Sequence, residues 1–165
     1  MSIAAIVTIM EQQLALYEKL LVIEEDKKRM IMGNEVVQLN VLTQKERLLV
    51  AKTEELETQR LLETARYFKN IGFRNRSGLL SDLIKSVHVP LEKQQLIQLY
   101  EQLTGILAKL KHVNEANQLL IQQSLDFINF SIGLMVEDPN EDVVYKHPMN
   151  QLNGSKRMTM FDSRA

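Results

Sequence analysis

From residue 91 to residue 136 the chain holds one heptad register without a break. Leu96, Leu99, Leu103, Ile106, Leu110, Val113, Asn117, Leu120, Ser124, Phe127, Ser131 and Leu134 follow one another at alternating spacings of three and four. In an α-helix that spacing lines a single seam, and a seam of apolar side chains is stable in water only when another helix covers it. The chain is therefore constrained to an all-α fold. The cover can come from its own helices, from a second copy or from a different protein, and the function turns on which.

Composition agrees with helix packing. Aromatic residues make up 5% and Trp is absent, which suits aliphatic helix seams better than an aromatic-cornered sheet or a nucleotide pocket. With no Cys there is neither a disulfide scaffold nor a thiolate zinc site, and a reducing compartment is the simplest setting. A net charge of −1 supplies no long-range field for nucleic acid.

Residues 3–10 are apolar but lack a basic leader and run into Glu11, Gln12 and Gln13. They are too short for a signal-peptide core with its cleavage site, and far short of the ~20 residues that span a bilayer. The expectation is a cytoplasmic protein with no direct membrane insertion, its first residues forming the buried start of a helix.

The first seam runs Ile3, Val7, Met10, Leu14, Tyr17 and Leu21, with Ser2 as N-cap, until charge takes over at Glu24, Glu25, Asp26, Lys27, Lys28 and Arg29. Gly33-Asn34 supplies the two residue types most at ease in a left-handed conformation, a common helix stop. The pattern resumes with Val36, Leu39, Leu42, Leu49 and Leu56 and drifts to Leu62, Ala65 and Phe68. So short a connection makes the two helices antiparallel neighbours. At ~1.5 Å per residue the arms would be about 45 and 55 Å long, an elongated hairpin.

Gly72, Arg74 and Arg76 break the pattern, Ser77-Gly78 offers a cap for a short helix, and Pro90 opens the long one. Asp138-Pro139-Asn140 ends it. The organisation expected is one helical, coiled-coil-like bundle over 1–137, with a hairpin at 2–71, a short helix at 79–87 and a long helix at 91–137, followed by a flexible tail over 138–165. The tail is too polar to fold alone, yet Val143, Val144, Tyr145, Met149, Met158, Met160 and Phe161 interrupt its polarity, either to bind a partner or to dock back.

No catalytic constellation is legible. His88, His112 and His147 are far apart, no Glu-x-x-His or Gly-rich phosphate loop occurs, and the carboxylates alternate with Lys and Arg as on solvated helix faces. The expectation is no enzyme, no metal and no cofactor. Tyr17 and Tyr100 read as core with a wet hydroxyl.

Polar residues within the last helix are more informative. Asn117 occupies the seam and Asn114 its edge, and amides placed there lose stability but set register, since a slipped pairing leaves them without partners. Beyond Asn117 the apolar surface broadens. Leu119, Leu120, Ile121, Leu125, Phe127, Ile128, Phe130, Ile132, Leu134 and Met135 spread over more than half the circumference, too wide a band for one hairpin to cover. A second copy, residues 3–10 or a helix of another protein could take the surplus.

Taken in order, these segments resemble a known family. Tyr17-Glu18-Lys19-Leu20-Leu21, the charged run from Glu24 to Arg29, the Gly33-Asn34-Glu35 turn and Leu39-x-x-Leu42-x-x-x-Glu46 are similar to the N-terminal hairpin of the FlgN-like flagellar export chaperones. Leu79-x-x-Leu83-Ile84 before Pro90, and the run from Val113 to Ile128, look like that family's third and fourth segments.

The resemblance implies a chaperone for flagellar type III protein export. It would bind the C-terminal helical region of hook-associated, hook-filament junction proteins, prevent their premature self-association and deliver them to the cytoplasmic domain of the export gate. The family's substrate contact would fall on residues 119–135, the stretch already marked as over-apolar, and its gate-docking tyrosine on Tyr145. Lys146-His147-Pro148 replaces the Gly-rich residues that often follow that tyrosine. The alternative is a passive coiled-coil homodimer, an adaptor or structural connector.

Overall fold

The structure is a computed structural model that describes residues 3–73 and 79–136. Four helices and no strand occur among them: α1 (Ile3–Met32), α2 (Val36–Asn70), α3 (Leu80–Ser86) and α4 (Pro90–Val136). The all-α expectation holds. The Ser2 cap, the 74–78 connection, the 138–165 tail and Tyr145 lie outside the described residues. The chain divides into two compact units, Met1–Phe127 and Ile128–Ala165.

Both arms of the hairpin end in the same way. At the end of α1, Asn34 takes the left-handed conformation with φ 55°, while Glu35 N donates to Met30 O at 2.9 Å and Asn34 N to Ile31 O at 3.2 Å. These are the two bonds of a Schellman stop, which satisfy carbonyls the helix would otherwise orphan. At the end of α2, Gly72 has φ 71°, Phe73 N donates to Phe68 O at 3.0 Å and Gly72 N to Lys69 O at 3.2 Å. The apolar contact typical of the motif is present too, as the Phe68 and Phe73 rings lie 5.8 Å apart. Pro90 is the first residue of α4, where its missing N–H costs nothing.

The apolar core is concentrated where the start of α1, the end of α2, all of α3 and the start of α4 meet. Ile3, Ile6, Val7 and Met10 bury against Phe68, Leu83, Val87, Leu96, Leu99 and Leu103, with Leu83, Met10 and Leu96 wholly enclosed. Tyr67 adds a hydroxyl that donates to Ser86 O at 3.4 Å and closes α3 onto α2. Residues 3–10 are therefore spent on this core.

The hairpin seam is more polar than its pattern suggests, and three expectations are corrected. The charged run does not lie wholly in solvent, because Glu24 and Lys27 are buried. Nor does α2 turn its apolar residues inward throughout: Val36, Leu62 and Ala65 are exposed, while Thr53, Arg60 and Thr64 are buried beside Phe68. Tyr100, expected in the core, is 42% exposed. The inner face of the hairpin is thus a ladder of polar groups. Gln13 Nε2 donates to Glu57 Oε2 at 2.9 Å, and Arg60 closes on the same carboxylate at 2.8 and 2.6 Å. Burial of a polar group is tolerable when it is bonded in this way.

Candidate protein-docking surface

The backbones of α1 and α2 approach one another repeatedly, whereas α4 meets the hairpin chiefly through side chains. One polar layer fixes how. Asn117, 2% exposed, donates from Nδ2 to the Glu24 backbone carbonyl at 2.9 Å and to Glu24 Oε2 at 2.8 Å. Lys27 Nζ is held at 2.9 Å from Glu24 Oε1 and 2.7 Å from Glu46 Oε2. One amide, one ammonium and two carboxylates therefore tie α4, α1 and α2 together. Asn114 is half-buried, and its Oδ1 accepts from Gln118 Nε2 at 3.0 Å within α4.

Electrostatics follow from that arrangement. Burial presses the Glu24 carboxyl upward, but the hydrogen bonds from Glu46, Lys27 and Asn117 together outweigh it and hold this group below the usual carboxylate range. Burial and the neighbouring Glu24 push the Glu46 carboxyl above that range, against the pull of Lys27. Burial alone would lower the Lys27 ammonium, yet its bonds to Glu46 and Glu24 leave it raised.

The Asn117–Glu24 pairing sets a parallel register between α4 and α1. Stepped back by heptads, it levels Leu110 with Tyr17, Leu103 with Met10 and Leu96 with Ile3; stepped forward, it levels Ser124 with Ile31. Phe127 falls level with Asn34, in the turn, where the hairpin has no further helix to offer. Burial tracks this geometry. Leu120 and Ser124 are half-buried, whereas Phe127 is 71% exposed. Leu119, Ile121 and Leu125 are exposed on the flanks of the same turns.

The second unit contributes the last turns of α4. There Ile128, Phe130, Ile132, Leu134 and Met135 are all exposed, Met135 by 85%, and Ser131 is half-buried. Every residue that the sequence marked for substrate binding thus lies on α4. Of the ten, Leu120 is half-covered and the other nine are exposed.

By length and composition α4 could cross a membrane, with a stretch of mean hydropathy 1.4. Gln122, Gln123, Asp126 and Asn129 interrupt its apolar end, and Gln122 Nε2 donates to Asp126 Oδ1 at 2.9 Å. An Asp at the bilayer centre costs about 2.5–3.5 kcal/mol, so Asp126 weighs against that use of the helix. Among the described residues no cluster of His, Asp and Glu could hold a metal ion.

Sequence reasoning missed Glu24, Lys27 and Glu46 as structural groups. The signal was there in the seven-residue step: Ile3, Met10, Tyr17, Glu24 and Ile31 form one heptad line, and Ile6, Gln13, Leu20 and Lys27 the adjoining one. Reading the seam by hydrophobicity ends it at Leu21, whereas reading it by period carries it to the turn.

The described structure is thus a long helix pinned to a hairpin by buried polar bonds, with apolar side chains exposed toward its end. The sequence profile described as FlgN protein matches residues 1–152, and the chain belongs to the FlgN family, chaperones of flagellum assembly and not an enzyme family. FlgN chaperones are soluble cytoplasmic proteins. The chain is 31% identical over 166 residues to the "Uncharacterized protein YvyG" of Bacillus subtilis (strain 168), a similarity covering 100% of both chains. No solved structure matches it.

Proposed function

We propose that this chain is a cytoplasmic flagellar export chaperone that binds the C-terminal helical region of hook-associated, hook-filament junction proteins along residues 119–135 of α4. It keeps those helices from premature self-association and delivers them to the export gate. The observation that carries this reading is the exposure of Leu119, Leu125, Ile128, Phe130 and Leu134, each by about half or more, on one helix of a FlgN-family protein. A partner helix burying roughly 600 Å² of apolar surface there would gain about 15 kcal/mol gross at ~25 cal/mol/Å². Association and ordering costs remove most of that, leaving a releasable complex.

The functional chain is one helical domain over 1–137 and a tail over 138–165. Asn114 and Asn117 set the register of α4, and Tyr145 in the tail docks on the gate. Replacing Leu125, Phe127 and Ile128 together by Asp tests the binding face. Co-purification with junction proteins should be lost while helical circular dichroism is kept. Loss of helicity along with binding would make the face structural and refute the assignment. A permanent homodimer is the competing use of the same surface, and a dimer that persists on light scattering after a junction protein is added would establish it. Deleting residues 141–165 should spare substrate binding and weaken only gate binding.

A further inference from the structure

The polar layer at Glu24 has an imbalance that its geometry makes explicit. Two carboxylates, from α1 and α2, bracket a single ammonium, Lys27 Nζ, at 2.9 and 2.7 Å. Among the described residues, the other group donating to them from α4 is the neutral Asn117 amide, which takes Glu24 Oε2. A partly buried layer with one acid in excess is relieved most simply by retaining a proton between its carboxyls, because burial penalises the second negative charge more than the first. A cleft of about 490 Å³ between the hairpin and α4 opens onto Glu24 and Glu46, so solvent protons reach the pair. Lys111 and Glu115 of α4 also line this cleft, but they face each other at 3.9 Å and both are well exposed, so they add little net charge.

We propose that Glu24, Lys27, Glu46 and Asn117 form a proton-linked clamp, in which a proton shared by the two carboxyls holds α4 in register on the hairpin and its loss loosens α4 around Asn117. With the proton in place the layer is neutral, and Glu24 remains free to accept from both Lys27 and Asn117. Without it, two facing carboxylates compete for one ammonium, and Glu24 repels Glu46. The raised Glu46 carboxyl and lowered Glu24 carboxyl fit this division. Their linkage signs are opposite. Glu46 holds its proton more tightly folded than unfolded, so its contribution is present at acid pH and is lost as pH rises through its raised folded value. Glu24 contributes above the ordinary carboxylate range and fails as pH falls through its lowered one. The clamp is tightest between the two. It stands whatever occupies the end of α4, so its failure and that of the chaperone reading are separable.

The test uses the full chain and Glu46→Gln, which keeps a neutral donor facing Glu24 at every pH. Hydrogen exchange of α4 amides on either side of Asn117 is followed from mildly acid to mildly alkaline pH and corrected for intrinsic chemistry. In the unmodified chain these amides should open several-fold more readily as pH rises, while those near Leu96 and Leu103 do not change; Glu46→Gln should show a flat profile. A flat profile in the unmodified chain, or the same slope in both, overturns the clamp. Should Glu46→Gln fail to fold, carboxyl carbon NMR of the unmodified chain decides alone. Glu46 titrating above the ordinary carboxylate range in a step coupled to Glu24 supports the proposal, and independent titration of the two within that range overturns it.

Discussion

Asn117→Asp is the most discriminating single change the structure offers. It preserves the shape of the side chain and replaces a donor by an anionic oxygen. The two bonds at 2.9 and 2.8 Å to Glu24 then become an acceptor facing a carbonyl and a carboxylate, and three acidic groups share the one ammonium of Lys27. Asn117→Ala gives the reference. It forfeits a bond to a charged acceptor, about 1.5–3 kcal/mol, and one to a neutral acceptor, about 0.5–1.5 kcal/mol. Part of that returns, because Asn117 Oδ1 is itself buried without a hydrogen bond and its removal relieves roughly 1–3 kcal/mol. The alanine variant should thus lose only about 1–2 kcal/mol, whereas an unpaired buried charge costs about 3–5 kcal/mol. Urea unfolding followed by circular dichroism at neutral pH should place Asn117→Asp well below Asn117→Ala. In mild acid the new carboxyl can take a proton and donate to Glu24, so the gap should narrow. An aspartate variant as stable as the alanine one at neutral pH, or a gap independent of pH, would refute the assigned bonds between α4 and α1.

Other outcomes follow from the same structure. Phe68→Ala removes an almost fully enclosed ring from the core and should cost about 3–5 kcal/mol in urea unfolding, and Leu83→Ala about 2–5 kcal/mol. Leu125→Ser, on the exposed flank of α4, should alter stability by less than about 0.5 kcal/mol while weakening co-purification with a junction protein. Gly72→Ala should cost roughly 1–2 kcal/mol through backbone conformation alone, since φ is 71° and a Cβ there would meet nothing within 4 Å. The Arg60 bond, and with it Gln13, holds the Glu57 carboxyl below its usual range despite burial, so its contribution is present above the unfolded value and lost as pH falls through the folded one. Glu57→Gln should therefore flatten part of the acid limb of a stability–pH profile.

Much of this fold was legible because helix seams are periodic and their stops are chemical. Gly33-Asn34 and Gly72 mark chain reversals that only a left-handed residue permits, although at the first of them Asn34 and not Gly33 takes that conformation. Pro90 marks a helix start. What stayed hidden was polar burial. Thr53 and Arg60 sit on the inner face of α2 because α1 presents Gln13 and Tyr17 there, a pairing that no single-helix pattern reveals. Hydrophobicity placed Leu62 and Ala65 inward, and both lie outward because the heptad line through Glu46, Thr53 and Arg60 takes the seam. The broad apolar band beyond Asn117 was legible for the opposite reason, since its excess over what one hairpin can cover needs only a count of side chains. Tyr145 was reached by resemblance alone and lies outside the described residues.

The distribution of apolar and polar burial along the bundle has a physical logic. Apolar contacts are non-directional and tolerate sliding, so the Ile3–Leu96 core secures α4 without fixing its register. Hydrogen bonds at 2.8–2.9 Å from a buried amide are directional, and a slip by one heptad would strand Asn117 against Tyr17 or Ile31 instead of Glu24. The polar layer lies one heptad before the point where the hairpin runs out. A slip of one heptad there would carry Phe127 under the hairpin or draw Leu120 to the level of the turn, changing which side chains face solvent. Specificity of the exposed surface thus depends on the least apolar layer of the seam, which explains why a sequence otherwise rich in Leu and Ile carries two acids, a lysine and an asparagine at that level.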